Sequence, residues 1–145
     1  MNGRLANPLG ARAGIGWGWT VAVLWGLGAY GIHKVGAVTG LYLQYGWYQN
    51  LTHACSASAM AALLAVAGLS LGYRGRRLAG FVVAASLLGA VGWEVLEFFS
   101  VLDAYGIWLH FHGFHDAAVD MGANAVGVAA TLGVLRTVDR PGGRE

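Results

Sequence analysis

Four long apolar runs, separated by short stretches that carry nearly all the charge, make up the chain. The first runs from about 15 to 33, continuously apolar to Ile32 apart from Thr20 and ended by His33 and Lys34, enough to cross a hydrocarbon core of roughly 30 Å at about 1.5 Å per residue. Similar runs occupy about 51–73, 78–99 and 116–135. The pattern predicts an all-α integral membrane bundle of four transmembrane helices forming a single domain. Residues 1–13 and 136–145 are its polar tails. The first run exceeds the usual 7–15 residue core of a signal peptide and is expected to be retained.

Between the first two runs, Val35–Asn50 is rich in glycine and holds Tyr42, Tyr45, Trp47 and Tyr48. Such rings favour the headgroup level, so an interfacial loop or short helix is expected, its aromatics acting as anchors. In the second run Ala54, Ser58 and Ala62 recur at four-residue spacing, which lets helices approach closely in lipid. Such stripes also suit homo-oligomer contacts.

Composition agrees with this pattern. Of 145 residues, 57% are hydrophobic and 11% charged, against about 25% charged in a soluble domain. The formal charge is +2, and its basic residues are scattered, so nucleic acid is not an expected partner. Membrane lipids are. The single Cys55 cannot form an intramolecular disulfide and reads as a small packing residue.

Charge then orients the chain. Under four spans, Arg4, Arg12, the Arg74–Arg77 turn, Arg136, Arg140 and Arg144 fall on one side, and only Lys34 on the other. By the positive-inside rule both termini are cytoplasmic, in the plasma membrane of the cell. Five of the seven acids and all five histidines collect at the outer end. Glu94 lies about 8 Å inside the third span, and Asp120 and Asn124 about 6 and 12 Å inside the fourth. Carboxylates at such depths are costly and usually functional.

Asp116, Asp120 and Asn124 share a face at i, i+4, i+8, continued by Gly127 and Thr131. Glu94 and Glu97 end the third span. His53 enters the second, and Asp103, Trp108, His110, His112 and His115 fill or border the connection before the last. His53, Glu94, Glu97, Asp116, Asp120 and Asn124 together predict an outward-facing polar pocket. No arginine is available there to neutralise it, so protons, a protonated histidine, Lys34, a metal or a cationic ligand must do so.

The residue types allow several chemistries. His53 with Glu94, Asp116 and Asp120 would supply the N and O ligands of a divalent metal such as zinc, iron or manganese, and oxygen-rich subsets would suit calcium or magnesium. Glu97, His112 and His115 are further candidate ligand-binding groups. A carboxylate beside a histidine also permits acid–base catalysis, with Glu94 or Asp120 as the proton-transfer group and Asn124 orienting substrate. Ser56, Ser58 and Ser86 lack a nucleophile-elbow context, and the glycine-rich runs lack a phosphate-loop pattern. His33 and His53, from different spans at similar depth, make a paired haem ligation conceivable.

The combination of His53, the Arg74–Arg77 turn, Trp93-Glu94-x-x-Glu97 and Asp116-x-x-x-Asp120-Met-x-x-Asn124-x-x-Gly127 resembles VanZ-like membrane proteins and their YjdF-type relatives, over about 51–135. The resemblance matches His53, Glu94, Asp120 and Asn124 to the group's polar positions and implies a role in the cell envelope, where some members are linked to glycopeptide resistance. The arginine usual shortly before the final aspartate is absent, and His112 and His115 stand there instead. Three functions remain open: binding of a cation or polar headgroup, with or without metal- or acid–base-assisted catalysis; ion- or proton-coupled transport; and a structural or assembly subunit. Enzymatic activity is left undecided by the residues.

Overall fold

The computed structural model describes the backbone of residues 8–98 and 114–138 and the side chains of 14–96 and 114–137. It consists of α1 (Pro8–Thr39), the short α2 (Leu41–Gln44), α3 (Gly46–Ser70), α4 (Gly75–Phe98) and α5 (Phe114–Val138). Four of these contain spans long and apolar enough to cross a membrane, Gly14–Thr39, Gly46–Ser70, Gly75–Leu96 and Phe114–Thr137. The chain is a multi-pass helical membrane protein.

Its surface agrees. Trp17, Leu24, Leu88 and Val126 are each more than 60% exposed, at 71%, 62%, 75% and 66%, an arrangement stable against lipid chains and not against water. Three hydroxyls within the spans are satisfied locally: Thr20, Thr39 and Ser70 each donate to the carbonyl four residues earlier, those of Gly16, Val35 and Val66.

Helix α3 is the centre of the bundle and packs on α1, α2, α4 and α5. Its contact with α5 is the most extensive. A Cβ on Gly127 would collide with the Ala54 carbonyl and lie 3.0 Å from the Ser58 nitrogen, so the two backbones meet where the small-residue stripe of α3 predicts. At one end of the bundle, Ala61, Ala65 and Val82 are fully buried beneath Leu64, Leu78, Phe81, Val128, Leu132 and Leu135. Helix α1 packs on α3 but has no packing contact with α4 or α5 among the described residues. Between α1 and α5 lies a lateral cleft of about 280 Å³, lined by Val21, Trp25, Ser58, Ala62, Ala130, Thr131 and Val134.

The end of α3 shows why the basic turn follows it. Gly72 takes φ 85°, Tyr73 N–H donates to the Gly68 carbonyl at 2.8 Å and Gly72 N–H to that of Leu69 at 3.1 Å, a Schellman termination. The Arg74 guanidinium then donates to the Leu69 and Tyr73 carbonyls at 2.9 and 2.7 Å, placing positive charge at the helix's negative end.

Several boundaries differ from those the hydropathy predicts, three of them at the end of α1 and at the two ends of α3. The first helix runs six residues beyond 33, to Thr39, because its polar residues are accommodated: His33 Nδ1 hydrogen-bonds Tyr42 Oη at 2.7 Å, and the Lys34 ammonium lies 5.5 Å from the Tyr30 ring centre. Gly40, at φ 72°, ends it. The second span begins at Gly46 rather than 51 and stops at Ser70 rather than 73; the 35–50 connection, expected as an interfacial loop or short helix, contains the short helix α2, and its two ends belong to α1 and α3. Its aromatics also divide. Tyr45 and Trp47 are exposed as anchors would be, but Tyr48 is buried and donates to the Ile32 carbonyl at 2.6 Å. Gly36 makes room for this, since a Cβ there would overlap the Tyr48 and Tyr42 rings.

Candidate functional site

Extending α3 back to Gly46 adds one turn ahead of His53, and that turn carries Gln49. The two side chains share a helix face at i, i+4. Across from them, α5 places Asp116 and Asp120 one turn apart, in register because Gly127 seats α5 against Ala54 and Ser58. Helix α4 brings Glu94 near its C-terminal end. Three helices thus deliver polar side chains to one end of the bundle.

There, one ligand atom each from His53, Glu94 and Asp120 lie within 4.8 Å of one another. His53 Nε2 is 3.5 Å from Asp120 Oδ2. Gln49 Nε2 donates to Asp120 Oδ2 at 3.0 Å and to Asp116 Oδ2 at 3.3 Å. Asp120 is buried, with 2% of its surface exposed, while His53, Glu94, Gln49 and Asp116 are partly buried. The amide therefore ties the two aspartates of α5 to the helix that carries the histidine.

Of the residues singled out from the sequence, His53, Glu94 and Asp120 come together directly. Asp116 joins them through Gln49 and is not one of the three clustered ligands. Asn124 is buried one turn beyond Asp120 on the same helix. His115 is exposed in the first turn of α5 and stands outside the described three-residue cluster. His112, Asp103, Trp108, His110 and the side chain of Glu97 lie outside the described residues. His33 is engaged with Tyr42 rather than paired with His53. Gln49 is the residue that sequence reasoning misses. Its signal is the i, i+4 relation to His53, which exists only once the helix is known to begin at Gly46.

Tyr42 borders this end from α2. Burial pushes its phenol above the ordinary value near 10, outweighing the lowering influence of the nearby Thr52 hydroxyl, so it stays an uncharged O–H beside His33. Its ring meets those of His33 and Tyr48 edge-on, at 5.7 and 5.3 Å. This aromatic cluster holds the end of α1 beside the site.

Below it, polarity is consumed locally. Thr131 Oγ1 is 2.9 Å from Ser58 Oγ and also reaches the Ser58 and Gly127 carbonyls at 3.1 and 3.3 Å. Trp25 Nε1 donates to Ser58 Oγ at 3.1 Å. Ser86 Oγ is buried without a hydrogen-bond partner among the described residues. Further along, the Ala61–Ala65–Val82 core is apolar and fully buried. The arginine side chains described, Arg74, Arg76, Arg77 and Arg136, belong to that far end.

Such a site can bind a cation through one imidazole and two carboxylates, or exchange a proton between histidine and carboxylate. Compared with protein-family models, curated proteins and solved structures, the chain matches none.

Proposed function

We propose that the protein is a VanZ-like component of the plasma membrane whose polar pocket opens to the outer face and binds a cation or the polar headgroup of an envelope lipid. The carrying observation is the convergence of His53, Glu94 and Asp120 from three helices within 4.8 Å, with Gln49 joining Asp120 to Asp116. The resemblance around Glu94, Asp120 and Asn124 supports the envelope setting. The positive-inside rule supports cytoplasmic termini, with the arginine-rich end of the bundle inside and the acidic end outside. Buried carboxylates beside an imidazole form an anionic, partly desolvated socket, which favours a positive guest.

Binding is favoured over transport by what lies beneath the socket. Ser58, Thr131 and Trp25 satisfy one another, and the Ala61–Ala65–Val82 cluster closes the remaining depth with apolar side chains. Lipid mass spectrometry and elemental analysis of the purified protein test the reading. Wild type should retain a stoichiometric headgroup or cation, and folded Glu94→Ala and Asp120→Ala variants should lose it. Equal retention by all three, or nothing bound to any, refutes the reading.

A further inference from the structure

Resting on that reading, we propose that the cation is a transition-metal ion of the zinc type, bound by His53 Nε2 and one carboxylate oxygen each of Glu94 and Asp120, with Gln49 as a positioning residue. The distances point there first. The His53 Nε2 to Asp120 Oδ2 separation of 3.5 Å exceeds the roughly 2.7–3.2 Å of a hydrogen bond. Two ligands at about 2.0–2.1 Å from a tetrahedral zinc lie about 3.3–3.4 Å apart, so this pair already stands close to one edge of such a site. The whole set lies within 4.8 Å, and side-chain rotation within fixed helices closes the rest.

The donor set selects the metal class. Calcium takes about 6–8 oxygens, and magnesium keeps an octahedral, largely aqueous shell. One imidazole and two carboxylates in a partly buried pocket match neither demand. They match the borderline ligands that zinc, iron and manganese accept. The two carboxylates carry two negative charges, which a divalent ion neutralises without importing an arginine. Three protein ligands also leave one tetrahedral position for water or an exchangeable ligand.

Gln49 orients the Asp120 carboxylate at the oxygen that stands nearest His53 Nε2. Its amide donates to Asp120 Oδ2 at 3.0 Å while its second contact, to Asp116 Oδ2 at 3.3 Å, fixes its own orientation. Outer ligands of this kind set the direction of the inner ones, and their loss costs about 10–100-fold in metal affinity.

The full chain, purified in detergent and stripped with a chelator, is titrated with Zn²⁺, and in parallel with Co²⁺, Ca²⁺ and Mg²⁺. One equivalent of Zn²⁺ is expected, with a tetrahedral Co²⁺ absorption spectrum and at least a tenfold weaker response to Ca²⁺ and Mg²⁺. His53→Gln, Glu94→Gln and Asp120→Asn, all close in shape to the originals, should abolish stoichiometric binding while keeping helical circular dichroism and monodisperse elution. Gln49→Ala should weaken binding by about 10–100-fold at unchanged stoichiometry, and Cys55→Ser should change nothing. Zn²⁺ binding that survives His53→Gln and Asp120→Asn, or that is lost in Cys55→Ser, overturns the assignment. Tighter binding of Ca²⁺ or Mg²⁺ also overturns it. Should no metal bind while a lipid headgroup is retained, the metal assignment falls and the headgroup reading stands; should neither bind, both fall.

Discussion

Replacing Gly127 by alanine tests the contact on which the site's register depends. Its Cβ would enter the Ala54 carbonyl oxygen, with 3.0 Å left to the Ser58 nitrogen. Ordinary carbon–oxygen contacts between closely packed helices are about 3.3–3.6 Å, so α3 and α5 must part by on the order of 1 Å. Neither obstacle is a flexible side chain, and the backbone has to move. Overpacking of this kind costs about 1–3 kcal/mol, offset by at most about 1 kcal/mol of helix propensity gained over glycine. A net loss of about 1–2 kcal/mol is expected. Gly89→Ala is the control, because a Cβ there meets nothing within 4 Å, and it should be neutral or slightly stabilising. Unfolding by sodium dodecyl sulfate in mixed micelles, followed by circular dichroism, measures both. If Gly127→Ala unfolds with Gly89→Ala, the close approach does not hold α5 in place, and the account of how Asp120 reaches His53 is wrong.

Thr131→Val removes a hydroxyl engaged with Ser58 and Gly127 and should cost about 0.6 kcal/mol, the usual scale inside a bilayer, in the same unfolding assay. Ser86→Ala removes a buried hydroxyl with no described partner and should be neutral or stabilising by about 1 kcal/mol; a clear loss would show that the hydroxyl is used. Tyr48→Phe forfeits the bond to the Ile32 carbonyl at a cost of about 1 kcal/mol and should loosen the end of α1, read as faster proteolysis near Thr39. The raised Tyr42 pKa contributes stability that is complete below the unfolded value of about 10 and is lost as pH rises through the folded value. Alkaline destabilisation should therefore begin near pH 10 and be smaller in Tyr42→Phe, as followed by thermal unfolding across pH.

The four spans were legible because lipid demands long apolar runs, and the outer acids stood out because charge is rare in such runs. Span ends were less legible. His33 and Lys34 look like a terminus in hydropathy, yet Tyr42 and Tyr30 supply partners that let the helix continue. The start of α3 was hidden in the same way, since tyrosine and tryptophan at the headgroup level suit loop and helix equally. Gln49 was overlooked for that reason: an uncharged amide in an aromatic stretch carries no signal until its helix phase with His53 is known. The stripe of Ala54 and Ser58 and the face holding Gly127 and Thr131 were both legible separately. Only the structure shows that each is the other's partner.

This pairing separates what stabilises the bundle from what the site does. Apolar packing lies toward the arginine end, where Ala61, Ala65 and Val82 are fully buried, and a close backbone contact lies between that end and the site, at Gly127 and Ala54. Neither needs the carboxylates. Asp120 sits seven residues before Gly127, roughly 10 Å along the helix, so the contact sets where its Cα stands while Gln49 sets where its carboxylate points. A bundle anchored below can carry buried charge above without relying on it for cohesion. Isosteric amides at Asp120 and Glu94 should then erase ligand binding at little cost in unfolding free energy, whereas Gly127→Ala should damage both. Opposite behaviour, with the amides unfolding the protein, would place the acids among its structural supports.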